Sequence, residues 1–96
     1  MEVRIKAIHF DISEHLTEFI NKKAQRLARH NVNISNIDVT LKVVKPETAM
    51  NKEATMQVVI PQHEDMVASK TADTFEEAID LCIEAIERQA EKKKNK

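Results

Sequence analysis

Apolar and polar residues alternate over 2–8, with Val3, Ile5 and Ala7 on one side and Glu2, Arg4 and Lys6 on the other. A period of two is that of a half-buried strand. The period then changes. Leu16, Phe19, Ile20, Ala24, Leu27 and Ala28 recur at intervals of three and four, which is the stripe of an amphipathic helix. Ser13 is the better N-cap candidate beside Asp11, because Glu14 and Glu18 follow in the first turns, where a helix favours negative charge. The spacing predicts a helix over about 14–30 that stops in the region 31–36.

Alternation returns over 37–45, with Ile37, Val39, Leu41 and Val43 inward and Asp38, Thr40, Lys42 and Val44 outward, until Pro46 removes a donor. After a polar connector over 47–51, Ala54, Met56, Val58 and Ile60 point in while Thr55, Gln57 and Val59 point out, and Pro61 closes the run. Gln62, His63, Glu64 and Asp65 lead to a short fourth strand near Met66–Thr71. Thr74 with Glu77 three residues later has the form of a capping box. Phe75, Ala78, Ile79, Cys82, Ile86 and Ala90 make a second apolar stripe, flanked by Leu81 and Ile83, on a helix reaching the low nineties.

The predicted order is β-α-β-β-β-α. Each helix has one wide apolar stripe, so both belong on one face of a four-stranded sheet. The strand-helix-strand crossover makes the first two strands parallel if they are neighbours. The short connections after them call for antiparallel pairs. This is an α+β two-layer sandwich with a mixed sheet.

The 96 residues suffice for one domain spanning 1–96, with a basic tail and no second domain. At 42% hydrophobic and 32% charged, the composition is globular rather than disordered. There is no Gly, which excludes a glycine-rich phosphate cradle and a nucleophile elbow. Tight turns must then fall to residues such as Asn31, Asn33, Asn36 and Asn51. The single cysteine, Cys82, leaves no internal disulfide and fits a reducing compartment. No apolar run has signal length or nears the ~18 residues of a membrane span. A cytoplasmic protein is expected, with no membrane partner.

The net charge of −1 counts at first against a nucleic-acid partner. Followed along the chain, the charge is strongly patterned. Lys22, Lys23, Arg26 and Arg29 occupy the second half of the first helix, with Lys22, Arg26 and Arg29 on one face. In the second helix Glu76, Glu77, Asp80, Glu84 and Glu87 come early, and Arg88, Lys92, Lys93, Lys94 and Lys96 come late. Acid first and base last complements a helix macrodipole, and lysine-rich ends are commonly solvated tails. Alternatively, the two basic ends gather with Lys42 and Lys45 of the second strand into one patch that tracks phosphates. The charges alone leave both readings open.

Other residues point to packing rather than chemistry. His9, His15, His30 and His63 have no zinc-type spacing with Cys82 or each other. Cys82 lies on an apolar stripe as a small hydrophobe. Met50, Met56 and Met66 are expected to fill core or edge gaps, and Asp80 and Glu84, four apart, to form a solvated face. With Phe10, Phe19 and Phe75 as the only aromatics, a base-stacking platform for single strands is excluded, which favours phosphate and shape contacts. No nucleophile-base pair can be assembled. An enzyme is not expected, nor a cofactor, metal or small-molecule substrate.

The chain resembles the ribosome hibernation promoting factor family, the short ribosome-associated inhibitors of bacteria and chloroplasts. The resemblance spans nearly the whole chain. It rests on the order of elements, on Ile12-Ser13-Glu14 leading into the first helix, on Leu41-Lys42-Val43 with Lys45, and on Ala68-Ser69. Ala78-Ile79-Asp80 and Arg88-Gln89 with Lys92 and Lys94 complete it. No one of these motifs is diagnostic; the ordered set is fairly specific. Two positions depart from the family pattern: Ala85, where a basic residue is common, and Glu76, where an aromatic is common. The additional C-terminal dimerisation domain of the long family form is not expected.

The resemblance implies a fold similar to double-stranded-RNA-binding domains. It also implies docking on the small (30S) ribosomal subunit and its rRNA within the 70S ribosome, in the path of mRNA and tRNA, so that translation is reversibly silenced. It points to Lys23 and Arg26 on the first helix, Lys42 and Lys45 on the second strand, and Arg88, Lys92 and Lys94 on the second helix as RNA contacts. Lys22 and Arg29 join them by proximity. Whether ribosomes are paired into dimers or idled singly stays open. The alternative is a protein-interaction module of similar fold with no RNA role.

Overall fold

The computed structural model describes residues 1–30, 33–44 and 49–94, with 93 and 94 described by backbone alone. It orders them as β1 (Glu2–Ala7), α1 (Glu14–His30), β2 (Asn36–Val43), β3 (Lys52–Val59), β4 (Met66–Ala72) and α2 (Phe75–Lys94). Both helices start where a hydroxyl can accept an otherwise orphaned amide. Leu16 N–H donates to Ser13 Oγ at 3.1 Å, and Glu77 N–H donates to Thr74 Oγ1 at 3.1 Å.

The strands lie side by side in the order β1-β2-β3-β4. β1 pairs parallel with β2, Val3 opposite Ile37 and Ala7 opposite Leu41. The β2–β3 and β3–β4 pairs are antiparallel, with Val39 opposite Met56 and Met56 opposite Ala68. One parity of β2, β3 and β4 is buried beneath the helices, and Val3, Ile5 and Ala7 of β1 are half-buried. Ile37, Val39, Leu41, Ala54, Met56 and Val58 are almost fully enclosed with Ile20, Ala24 and Leu27 of α1 and Ile79, Cys82 and Ile86 of α2. Each large side chain in this core contributes roughly 1.5–3 kcal/mol by leaving water. The Cys82 thiol donates to the Ala54 carbonyl at 3.3 Å, with the Ala68 carbonyl at 3.7 Å, which pins α2 over the two last strands.

The connections set direction. Both helices run antiparallel to β1, β2 and β4, so their N-termini share one end of the molecule and their C-termini the other. Phe10, just before α1, stacks on Phe75 at the start of α2, which marks the first end. At the other, Gln89 donates to the carbonyl of Val67, the second residue of β4, at 2.9 Å. Beyond that point Ala90 still packs against the core, while Glu91 and Lys92 are exposed.

The turns follow expectation at Asn33, which lies in a turn, and depart from it elsewhere. Among the described residues, left-handed backbone falls on His9, Met50 and Gln62, at φ 63°, 60° and 67°. Asn36 and Asn51 are instead buried in and beside the strands; Asn36 donates to Asp38 Oδ2 at 3.0 Å, and Asn51 accepts from Lys52 Nζ at 2.9 Å. Asn31 lies outside the described residues. Met50 is not a gap-filler either. It is 52% exposed, and its N–H donates to Asp73 Oδ1 at 2.7 Å.

Candidate functional site

The basic residues of α1 lie in its second half, off the apolar stripe that faces the core. Leu16, Ile20, Ala24 and Leu27 face the core. Lys22 and Arg29, seven apart and so two turns up the same face, are exposed on the outer surface. Arg26 is exposed too and turns toward α2. Lys23 is different. Its Nζ lies 3.1 Å from Asp80 Oδ1 of α2 and 5.4 Å from the centroid of the Phe19 ring, and its side chain is only 29% exposed.

Between the helices runs a groove of about 250 Å³ lined by Lys23, Arg26, Leu27, Asp80, Ile83, Glu84 and Glu87. Leu27 and Ile83 form its apolar portion. Three carboxylates confront two cations, one of which is already paired. Glu84 is exposed, as expected of a solvated face, whereas Asp80 is half-buried and paired with Lys23; both line the groove. Glu76, Asp80, Glu84, Glu87 and Glu91 follow at spacings of four, four, three and four, one continuous acidic stripe on the α1-facing side of α2.

Arg88 and Lys92 are exposed, but on the other flank. Glu87 lines the groove, whereas Gln89, two residues on, reaches β4. Arg88 lies between them, and Lys92 one turn beyond it. The α1 and α2 cations thus share an end and a layer of the molecule, with the acidic stripe between them.

Lys42 is not brought to this end. It is exposed on the helix-free face of the sheet, opposite Glu53 of β3 and next to the last residue of β2. The end of β2 lies at the helix N-termini, whereas Lys22, Arg26 and Arg29 cluster toward the C-terminus of an α1 roughly 25 Å long by its 17 residues. A single surface joining Lys42 to both helix ends does not form, because side-chain alternation and crossover direction send it elsewhere. Lys45 lies outside the described residues, and Lys94 is helical with its side chain outside them.

The helix-free face is polar. Arg4 Nε lies 2.8 Å from Asp38 Oδ1, Thr55 and Ser69 hydroxyls are 3.0 Å apart, and Gln57 donates to Asp65 at 2.6 Å. The sequence reading missed the Lys23–Asp80 pair. Its only sequence signal was the nearly unbroken acidic spacing along α2. No group of three or more metal-ligating side chains occurs among the described residues, and no helix there is long and apolar enough to cross a membrane.

The family model described as Sigma 54 modulation protein / S30EA ribosomal protein matches residues 3–96. The chain is 31% identical over 102 residues to a ribosome hibernation promoting factor of Pseudomonas putida, covering 100% of this chain and 89% of that protein. It is 30% identical over 100 residues to a factor of the same name from Azotobacter vinelandii, covering 100% and 85%. Among solved structures, a ribosomal subunit interface protein from Coxiella burnetii superposes with a TM-score of 0.86 at 26% identity over 100% of both chains. The N-terminal domain of Thermus thermophilus Protein Y shares the fold, with a TM-score of 0.76 at 21% identity over 93% of this chain and 94% of that one.

Proposed function

The chain belongs to the sigma 54 modulation protein / S30EA ribosomal protein family, and on that premise we propose that it is a ribosome hibernation factor that binds rRNA of the small subunit and blocks the path of mRNA and tRNA. The observation that carries this reading is the gathering of Lys22, Arg26, Arg29, Arg88 and Lys92 on exposed positions toward one end of a chain with net charge −1. Cations so concentrated release condensed counterions when they meet RNA phosphates, and that release drives binding.

Lys23 is set apart from this interface by its ion pair with Asp80. Lys42, at the other end and on the sheet's outer face, requires a second point of contact with RNA. The rigid two-layer body then occupies space that translation ligands need. No bond is made or broken; silencing is competition by mass action and reverses when the factor leaves.

Sedimentation of a lysate through sucrose at low and high salt tests the reading. Phosphate binding gives co-migration with small subunits or whole ribosomes that is lost at high salt. Absence from the ribosomal fractions at low salt overturns it. Salt-resistant co-migration favours an apolar protein interface instead.

A further inference from the structure

We infer that Asp80 holds Lys23 off the RNA, closing the interhelical groove to phosphate and confining RNA to separate basic tracks on either side of the acidic stripe of α2. This rests on the ribosome-binding reading above and concerns how that surface selects its RNA.

Lys23 lies within the longest basic run of α1, yet it is the member that the fold restrains. Asp80 takes its ammonium at 3.1 Å, and the Phe19 ring lies 5.4 Å from the same nitrogen. Contacts on two sides leave it poorly placed to reach a phosphate. A phosphate entering the groove would meet Asp80, Glu84 and Glu87 with Arg26 as the one cation not held by Asp80. Like charges at groove distances oppose entry, and a partly enclosed groove screens them less than open solvent does.

The tracks that remain are Lys22 and Arg29, with the exposed Arg26 beside the groove, on one side and Arg88 with Lys92 on the other. The body of α2 separates them by on the order of 10 Å, the width of a helix with its side chains. Phosphates of a folded RNA can hold such a spacing, whereas a flexible strand must be ordered to match it. Asp80 thus acts as a specificity-determining residue: it removes a cation that any RNA could use.

Three variants test this: Asp80→Asn, Lys23→Gln and the double variant. Each is titrated across salt with purified small subunits and with an unrelated RNA duplex of about 20 base pairs, and its folding is checked by circular dichroism. Asp80→Asn is expected to tighten duplex binding roughly two- to ten-fold at 50 mM salt. It should also steepen the dependence of log K on log salt by about 0.9, one added phosphate contact. Small-subunit affinity should change less, so selectivity falls. Lys23→Gln alone should leave the duplex slope unaltered, and it should abolish the gain in the double variant.

An unaltered slope in Asp80→Asn, a shallower slope in Lys23→Gln, or a gain that survives in the double variant overturns the inference. If the wild-type protein binds neither probe in a salt-dependent way, the ribosome-binding reading fails, and this inference fails with it.

Discussion

Phe10 and Phe75 stack with centroids 5.1 Å apart and planes 9° from parallel. Phe10 belongs to the loop that carries the chain from β1 into α1, and Phe75 is the first residue of α2. The contact therefore ties the start of the crossover to the start of the final helix. Both rings are half-buried and pack on the core.

A double-mutant cycle on this pair should return a coupling energy of about 0.5–1.5 kcal/mol beyond the area each ring buries. Phe10→Ala and Phe75→Ala should each destabilise the fold, and together they should cost less than their sum. Urea denaturation of the two single variants and the double variant measures this. Strictly additive losses would mean that the rings are neighbours without interaction.

Gln62 is expected to be a site of recoverable stability. His63 N–H donates to the Ile60 carbonyl at 3.1 Å, closing a turn with Pro61 second and Gln62 third at φ 67°. A turn with Pro second and a left-handed third residue is type II, which favours Gly at that third place. The left-handed conformation costs an L-residue about 1–2 kcal/mol, and glycine returns about 0.5–1 kcal/mol of that as chain entropy. Gln62→Gly should therefore stabilise by roughly 0.5–1 kcal/mol, read as a higher Tm. A lower Tm would show that the Gln62 side chain contributes more than its backbone strain costs.

These relationships also mark what could be read from the chain itself. The bounds of α1, 14–30, followed from one stripe and a cap, since a helix declares its own period. The fourth strand was legible to within a residue, ending at Ala72 rather than Thr71. β2 ends at Val43, two residues short of expectation; Val44 N–H still donates to Asn51 at 2.9 Å. The charges that make the candidate site were visible by segment. What they face was not. Periodicity assigns Asp80 to a side of α2, but only the packing of α2 against α1 decides that this side meets Lys23. The left-handed turns were missed for a related reason: with no glycine available, loop geometry chose His9, Met50 and Gln62 over the asparagines that local preference favours.

Cys82 should make stability fall in alkali. Burial pushes its thiol up to about 11 from an ordinary value of 9.0. The folded state therefore favours the neutral thiol more than the unfolded chain does. That contribution is fully present below pH 9.0 and is lost as pH rises from there through about 11. Its ceiling is on the order of 3 kcal/mol, at 1.36 kcal/mol per pH unit. Denaturation midpoints between pH 8 and 11 should decline more steeply in the wild type than in Cys82→Ala. Parallel curves would show that this thiol does not govern the alkaline limb.

Lys22→Glu with Arg29→Glu should abolish ribosome binding while leaving the fold intact. Both side chains are exposed on the face of α1 opposite the Leu16, Ile20, Ala24 and Leu27 stripe, so their replacement removes little packing. The main structural penalty is acid placed in the last turn of the helix at Arg29, typically 0.3–1 kcal/mol; Lys22 sits mid-helix, outside the reach of that effect. For binding the arithmetic is harsher. If each residue neutralises one rRNA phosphate, the pair accounts for about two units of the slope of log K against log salt. Reversal removes those attractions and substitutes two repulsions at the same points. The variant should fail to pellet with small subunits at 50 mM salt and fail to inhibit a cell extract, while melting within a few degrees of the wild type. Lys22→Gln with Arg29→Gln should be intermediate, with its slope reduced by about two and its affinity partly kept at low salt. Should the glutamate variant pellet and inhibit like the wild type, the outer face of α1 is ordinary solvated surface, and the interface would have to be sought around Arg88, Lys92 and Lys42.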